Sequence, residues 1–250
     1  MTNDFIRHLV GIADACELLA CLWEFPNDTL ARGIISGAVK NDALSCLADA
    51  GAPRNALDEV GAAFAQPSFV DATAALASLR VGHSRLFLAP CGRPTVYASE
   101  GPFLFVETGG GGTPPLFATP SVHDVGTCMK HAGVEPRNAR EEPSDSVANE
   151  LSFLSWLLGS LARATVEGTS EAASSTFSQA RDFWARHAGN WLPLFMERAG
   201  EAAEHLGPDS PYPAAALFGR HVMGAVGRLL REEEHVQYSE LKERQPLSTL

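Results

Sequence analysis

Apolar residues recur along most of the chain at the spacing of an α-helix. Near the N-terminus they follow one another at alternating intervals of four and three positions: Phe5, Leu9, Ile12, Cys16, Leu19 and Trp23. This spacing places six side chains on one stripe of a single helix. Pro26 predicts the end of that helix, because the residue before a proline avoids the helical region. Shorter helical patterns follow around residues 28–39, 41–49 and 54–65, and from Asp71 onward.

The most apolar helical pattern lies in the second half of the chain. Its stripe consists of Val147, Leu151, Leu154, Leu158 and Leu161, and it is widened by Phe153, Trp156 and Leu157. A helix that is apolar on so many sides is expected to be central and buried. Ser144 is expected to cap its N-terminus. Further helical patterns cover residues 171–188, 191–199 and 213–229, and Gly189-Asn190 is expected to separate the first two.

The helical pattern is interrupted at residues 89–119. This segment holds several prolines and the run Gly109–Gly112, and both residue types oppose regular structure at this density. We expect a long Gly/Pro-rich central loop with room for short β-like pieces such as Phe103–Val106, for which no partner strand is evident. The predicted fold is therefore all-α, a compact globule of about nine or ten helices in a single domain at residues 1–238. The loop divides this domain into an N-terminal part, 1–88, and a C-terminal part, 120–238, and residues 239–250 form a polar tail.

The composition narrows the classes of function. The formal net charge of −11 disfavours a nucleic-acid surface, which needs clustered Lys and Arg. Solubility is the favoured interpretation of this charge, and the attraction of a cationic peptide is the alternative. No apolar stretch reaches the roughly 20 residues that a membrane span requires. The N-terminus carries Asp4 and no cationic run, so we expect no secretory signal and a cytoplasmic protein. The five cysteines include no C-x-x-C pair, which predicts reduced thiols.

The sequence lacks the usual catalytic motifs. No G-x-x-x-x-G-K-[ST], G-x-S-x-G or H-E-x-x-H pattern occurs. Glu142 and Asp145 belong to an acidic cluster that could serve a small helical hydrolase, but without a nucleophile and base the electrostatics of a helix N-terminus is the favoured interpretation. His123, Cys128 and His131 lack the spacing of a metal site. We therefore expect no catalytic residues, no cofactor and no metal.

Three stretches carry short motifs in a fixed order. The first is His83-Ser84-Arg85-Leu86-Phe87, followed by Tyr97-Ala98-Ser99-Glu100. The second is Glu142-Pro143-Ser144-Asp145-Ser146, followed by Glu150-Leu151-Ser152-Phe153. The third consists of Phe183, His187, Trp191 and Phe195. Together they resemble the R-L-F, Y-E-S, E-P-x-D-H, E-L-x-F and F-x-x-x-H-x-x-x-W-x-x-x-F motifs of the TorD/DmsD/NarJ family of redox-enzyme maturation chaperones, although Ala98 and Ser146 replace the family's usual glutamate and histidine.

The resemblance implies an all-α fold and a cytoplasmic chaperone that performs no chemistry of its own. Its partners would be the apo form of a molybdopterin oxidoreductase catalytic subunit and that subunit's twin-arginine leader peptide, with no nucleic acid and no membrane insertion. A NarJ-like role in the assembly of a non-exported molybdoenzyme is the alternative within the family. The protein would be a monomer or a segment-exchanged dimer.

A receptor for a twin-arginine leader needs carboxylates for two guanidinium groups and an apolar groove for the hydrophobic stretch. The residues expected to bind the client come from the first two matched stretches: Leu86, Phe87, Tyr97, Ser99, Glu142, Pro143, Asp145 and Ser146. Of these, Glu142 and Asp145 are expected to supply the carboxylates. Leu86, Phe87 and Tyr97 are expected to supply the apolar surface, with a place in the core as the equal alternative for Leu86.

Overall fold

Helices make up nearly all of the regular structure. The computed structural model describes residues 2–64, 69–88, 94–117, 119–136 and 142–231. Eleven α-helices lie within these ranges: α1 (Thr2–Trp23), α2 (Asp28–Ser36), α3 (Ala38–Asp49), α4 (Arg54–Ala63), α5 (Ala72–His83), α6 (Glu100–Glu107), α7 (Pro120–His131), α8 (Val147–Val166), α9 (Ser170–Arg186), α10 (Ala188–Ala203) and α11 (Tyr212–Leu230). A π-helical segment, Ser84–Leu88, extends α5, and a 3₁₀ turn, Glu204–Leu206, follows α10. The described ranges contain no strand, only one isolated antiparallel bridge, so the predicted all-α class is confirmed.

Helices α1 and α8 pack along each other at the centre of the fold. The predicted stripe of α1 is buried from Leu9 to Trp23. Helix α8 buries side chains on nearly every side, as its apolar pattern predicts, because it packs against α9 as well as α1. Helix α3 packs on α1, and α10 packs on α11. The described N-terminal and C-terminal helices therefore share one hydrophobic core.

Several helices begin at a residue whose side chain caps the first turn. The side chains that accept a hydrogen bond from the backbone N–H three residues later belong to Asn27, Asp71, Thr119 and Ser146. Each of these bonds satisfies a donor that the helix itself leaves without a partner. The prediction that Ser144 caps α8 is wrong, because Ser146 accepts from Asn149 N–H instead. The helix starts late because the backbone of Ser146 is extended and pairs with Ser99.

The central segment is more regular than its Gly and Pro content predicts. The prediction of loop with a β-like piece at Phe103–Val106 is wrong, since these residues belong to helix α6. Pro102 lies in the first turn of α6, where its missing N–H breaks no helical hydrogen bond. The N–H of Gly101 is bonded by the carboxylate of Asp145, 44 residues further along the chain. A contact over this distance leaves no local pattern in the sequence.

The chain turns between α9 and α10 at His187. The φ of −128° and ψ of −94° at His187 lie outside the helical region, and α10 begins at the next residue. The prediction of a break at Gly189-Asn190 is therefore wrong by two residues, because both of these lie within α10. The corner falls at His187 because both of its ring nitrogens bond to carboxylates of other helices.

Some predicted features lie outside the described residues. These are the polar tail at 239–250 and the beginning of the central loop at 89–93. The single domain at 1–238, with parts at 1–88 and 120–238, stays a prediction. No helix in the described part of the chain has both the length and the apolar character that crossing a membrane requires.

Two glycines on the central helices give opposite predictions for substitution by alanine. A Cβ at Gly11 would lie 2.6 Å from the backbone nitrogen of Ala50 and 2.7 Å from the carbonyl carbon of Asp49. Since backbone atoms cannot move aside cheaply, Gly11→Ala should lower the free energy of unfolding by about 1–3 kcal/mol.

A Cβ at Gly159 in α8 would meet nothing within 4 Å. Gly159→Ala should raise the free energy of unfolding by about 0.5–1 kcal/mol, because alanine is the better helix former.

Urea denaturation followed by circular dichroism measures both changes on the same scale. A Gly11→Ala variant as stable as the wild type would contradict the close approach of α1 to the end of α3.

Candidate functional site

A cavity of about 480 Å³ lies where α1, α5 and α8 meet the central segment. We call it the aromatic cavity, and it is lined by Trp23, His83, Phe87, Leu88, Pro94, Tyr97, Ala98, Ser99, Pro102, Thr113, Leu116, Phe117, Glu142, Pro143, Ser146, Val147 and Ala148. Its volume is within the range of about 300–1,000 Å³ that ligand pockets occupy. Three of these apolar side chains are well exposed to solvent: Leu88 at 57%, Leu116 at 46% and Phe117 at 71%. They give the cavity an apolar mouth, and exposed apolar surface of this kind marks binding sites.

Two of the three matched stretches meet at the wall of this cavity. Ser99 and Ser146 face each other in the isolated antiparallel bridge. Its two backbone hydrogen bonds are each 2.9 Å long, and one of them runs from the N–H of Glu100 to the carbonyl of Asp145. The bridge joins the start of α6 to the start of α8. Segments that are far apart in the sequence therefore form one continuous piece of wall.

The side chain of Asp145 is fully buried and fastens the starts of two helices. Its Oδ2 atom accepts hydrogen bonds from the Gly101 N–H at 3.1 Å, the Ser121 hydroxyl at 2.6 Å and the Thr119 hydroxyl at 3.3 Å. These donors lie at the N-termini of α6 and α7, where the helix dipole favours a negative charge. The structure therefore places Asp145 in the interior, where its charge serves α6 and α7 rather than the cavity.

Glu142, Pro143 and Ser146 lie on the cavity wall. The Ser146 hydroxyl donates a hydrogen bond to Glu142 Oε2 at 3.3 Å while it caps α8. The side-chain amide of Asn149 donates to the Pro143 carbonyl at 2.9 Å and so fixes the turn before α8. Glu142 is half-buried, and it is the one carboxylate among the described lining residues, which include no Lys or Arg.

An aromatic cluster lies beneath the cavity and connects it to the core. The Trp23 ring lies edge-on to Phe87 and Phe195, with ring centroids 5.9 Å and 5.3 Å apart, and it stacks on Tyr212 at 6.0 Å. Aromatic pairs at such distances add stability beyond the burial of their area. The floor of the cavity is therefore packed by α1, the π-helical segment, α10 and α11 together.

Two polar atoms of the lining residues lack hydrogen-bond partners. The Nε1–H of Trp23 and the Nδ1 atom of His83 are buried and have none within the described ranges. Burial lowers the pKa of His83 to about 4, against the smaller opposing effect of a hydrogen bond to the Trp23 backbone. The ring is therefore neutral at neutral pH. Buried polar groups are usually paired, so these two atoms are exceptions in the wall of the cavity.

A buried polar network lies at the start of α6. His187 Nδ1 bonds to Glu100 Oε2 at 2.9 Å, and His187 Nε2 bonds to Asp124 Oδ2 at 3.0 Å. Burial alone would lower the pKa of His187, but the hydrogen bonds and charges of Glu100 and Asp124 outweigh burial and raise this pKa. The network holds α6 and α7 against the corner between α9 and α10.

Glu150 lies fully buried in α8, at the start of the matched E-L-x-F stretch. The indole N–H of Trp191 donates to Glu150 Oε2 at 3.0 Å. Burial raises the pKa of Glu150 well above its usual range, and the charge of Glu100 adds to the increase. The protonated form of this carboxyl is therefore favoured in the interior. The third matched stretch, which contains Trp191, is buried throughout and builds the core rather than the cavity wall.

The aromatic cavity brings together six of the eight residues expected to bind a client: Phe87, Tyr97, Ser99, Glu142, Pro143 and Ser146. Leu86 and Asp145 are 1% and 0% exposed and do not line it. Trp23 and His83 line the cavity too, although the sequence does not predict it. The available signal was their position, since Trp23 ends the first helical stripe and His83 begins the first matched stretch.

The model of one protein family, described as the nitrate reductase delta subunit, matches residues 52–197. This match covers more than half of the chain and includes the three matched stretches. The chain belongs to this family. Its members are molybdoenzyme assembly chaperones, as the resemblance to TorD, DmsD and NarJ implies. None of the curated proteins matches the chain.

Within this family fold, the buried carboxylate of Asp145 should contribute more to stability than an exposed one. Asp145→Asn replaces the carboxylate by an amide, so the three donors meet either an NH₂ group or a weaker, neutral oxygen acceptor. We therefore expect the free energy of unfolding to fall by about 1–3 kcal/mol. The matched control is Asp58→Asn, which breaks a 3.2 Å ion pair with Arg54 on the surface. Asp58→Asn should lower the free energy of unfolding by at most about 0.5 kcal/mol. Urea denaturation of both variants tests the difference, and equal losses would contradict the structural role of Asp145.

The burial of His83 predicts a pH dependence of stability. The pKa of His83 is about 4 in the folded chain against 6.5 for an ordinary histidine, so the unfolded chain binds the proton more readily between these values. The free energy of unfolding should therefore fall as the pH drops from about 6.5 to about 4, by up to about 3 kcal/mol from this group. Urea denaturation across this range should show a shallower fall for His83→Gln. Parallel pH profiles for the two proteins would contradict the buried neutral ring.

Proposed function

We propose that this protein is a cytoplasmic maturation chaperone that binds the apo form of a molybdopterin-dependent oxidoreductase through the twin-arginine leader of its catalytic subunit. The aromatic cavity is the proposed binding site. The observation that carries this proposal is an apolar cavity with a single carboxylate, built where two motif stretches of a molybdoenzyme chaperone family pair with each other.

The walls of the cavity suit the hydrophobic stretch of a leader peptide. Its mouth exposes Leu88, Leu116 and Phe117, whose apolar area would be removed from water by a bound peptide. Burial of such area contributes about 25 cal/mol per Å². These features support an extended apolar segment as the occupant.

The charge of the lining suits the arginines of the leader. Glu142 offers a carboxylate on the wall, and a guanidinium group binds a carboxylate through charge-assisted hydrogen bonds. The His83 ring is neutral, so it does not repel a cation. The formal net charge of −11 would speed the arrival of a cationic peptide. With Asp145 held in the interior, Glu142 is the residue that we assign to a leader arginine.

The alternative of a small helical hydrolase has less support. It requires Glu142 and Asp145 to act together on a substrate, whereas the Asp145 carboxylate is fully buried and does not line the aromatic cavity. General acid–base catalysis needs both groups within hydrogen-bond reach of the reacting atoms. We therefore propose that the chain has no catalytic role of its own.

Leader binding can be tested by isothermal titration calorimetry with a synthetic twin-arginine leader and its twin-lysine version. The wild type should bind the twin-arginine peptide and prefer it, because lysine cannot form the paired hydrogen bonds of a guanidinium group. Glu142→Gln should weaken binding about 5- to 150-fold, the equivalent of roughly 1–3 kcal/mol. Phe117→Ser should weaken it by about 1–2 kcal/mol through lost apolar contact.

Matched controls lie at the other end of α8. Glu167→Gln removes the same charge, and Val166→Ser removes an apolar side chain that is 66% exposed, both roughly 28 Å along the helix from the cavity. Neither should change the affinity. Binding that is equally weakened by the controls would place the peptide elsewhere.

Binding of an apo-enzyme without binding of any leader would favour the NarJ-like role on a non-exported client. Binding of neither would sink the chaperone proposal for this cavity. Light scattering during the same purification would distinguish the monomer from the segment-exchanged dimer, both of which stay predictions.

A further inference from the structure

Three side chains that commonly bind metals converge where α7 meets the corner between α9 and α10. Asp124, Cys128 and His187 each present one ligand atom, and these atoms lie within 4.8 Å of one another. Asp124 and Cys128 share a face of α7 because they are four residues apart. His187 reaches them from the other side of the gap between the helices. We propose that this trio is a binding site for a divalent metal ion of the zinc class.

The donor atoms of the trio define the class of ion. One carboxylate oxygen, one sulfur and one imidazole nitrogen form a set that suits Zn²⁺ and similar borderline-soft ions. Mg²⁺ and Ca²⁺ prefer sets made of oxygen alone. Three protein ligands leave a fourth tetrahedral position for water or another ligand. Asp124 and Cys128 are both partly exposed, so an ion can reach them from solvent.

The Nδ1 atom of His187, which faces away from Asp124, has the kind of partner that is typical of metal-binding histidines. A histidine that binds a metal through one ring nitrogen usually donates the other N–H to a carboxylate, which orients the ring. His187 Nδ1 bonds to Glu100 Oε2 at 2.9 Å, and the Glu100 side chain is itself buried. His187 Nε2 then faces Asp124. The buried carboxylate of Glu100 therefore holds the His187 ring in the way that metal-binding histidines are usually held.

A cation already occupies the position next to the trio. The guanidinium group of Arg186 bonds to Asp124 Oδ2 at 2.8 Å and to Cys128 Sγ at 3.1 Å. The Arg186 side chain is 52% exposed, so it can move into solvent. A divalent ion would replace its positive charge between the two acidic ligands. The affinity for metal is therefore set by competition with Arg186.

The sequence predicts no metal site here, because His187 is far from the other two ligands along the chain. His187 lies 63 positions from Asp124 along the chain, and His123 and His131 do not belong to the trio. The site also lies apart from the lining of the aromatic cavity. The proposal therefore does not depend on client binding.

Zinc binding can be measured on the full, metal-free chain by competition with a chromophoric chelator, and Co²⁺ can report the ligands by its absorption. We expect one Zn²⁺ per chain and a thiolate-to-cobalt charge-transfer band. Cys128→Ser should abolish that band. Cys128→Ser and Asp124→Asn should each weaken Zn²⁺ binding by at least roughly 10- to 100-fold, which is the loss seen when a residue that only supports a metal ligand is changed. Arg186→Gln should tighten Zn²⁺ binding, because it removes the competing positive charge. Zn²⁺ should also raise the melting temperature of the wild type but not of Cys128→Ser.

Cys46→Ser and Cys21→Ser each remove a thiol outside the trio, and neither should change the affinity or the cobalt spectrum. Circular dichroism of each variant confirms that it is folded. Should Cys128→Ser fail to fold, Asp124→Asn and Arg186→Gln still decide the matter. Unchanged zinc affinity in these variants, or a loss shared by the two control variants, would overturn the proposal and indicate adventitious binding to a thiol.

Discussion

The buried carboxylate of Asp145 is the constraint on which the wall of the aromatic cavity depends. A buried charge is costly unless hydrogen bonds and nearby dipoles compensate for it. Here the compensation comes from the first turn of α6 and the first turn of α7, through Gly101, Thr119 and Ser121. The same residue gives its backbone carbonyl to Glu100 in the antiparallel bridge. One residue therefore fixes where α6, α7 and α8 begin.

The interior stabilises its other acidic groups in different ways. Glu100 bonds to the ring of His187, whose positive form is favoured by this contact. Glu150 has no cation beside it in the described contacts, and its raised pKa favours the neutral form, with the Trp191 indole as donor. Such groups contribute little net stability compared with apolar side chains of similar size. Their hydrogen bonds do link separate helices, since Glu100 in α6 bonds to His187 and Glu150 in α8 bonds to Trp191 in α10.

The sequence predicts the parts of this fold that depend on local periodicity. Helices α1 and α8 follow from their stripes, since each buries a whole face. Helix α6 and the corner at His187 do not, because contacts with Asp145, Glu100 and Asp124 decide them. Glycine and proline content therefore indicates a loop at residues 100–107 where long-range hydrogen bonds produce a helix.

The sequence likewise predicts only part of the candidate site. The matched motifs locate the cavity wall, because the R-L-F, Y-E-S and E-P-x-D segments come together there. They do not reveal which side chain of a turn faces the cavity. Leu116 and Phe117 at the mouth belong to no motif. The unpartnered Trp23 Nε1 and His83 Nδ1 atoms cannot be recognised before the fold is known.

Glu142 and Asp145 show how position within one turn separates two roles. They lie three residues apart and carry the same charge, yet one is on the cavity wall and the other is fully buried. A carboxylate that holds the wall together has its hydrogen bonds directed at the protein and cannot release them to a ligand at low cost. The carboxylate of Glu142 lies on the wall, where an incoming cation can reach it. The rigidity that Asp145 provides is what allows Glu142 to meet a ligand in a fixed position, because ordering a binding group in advance lowers the entropic cost of binding.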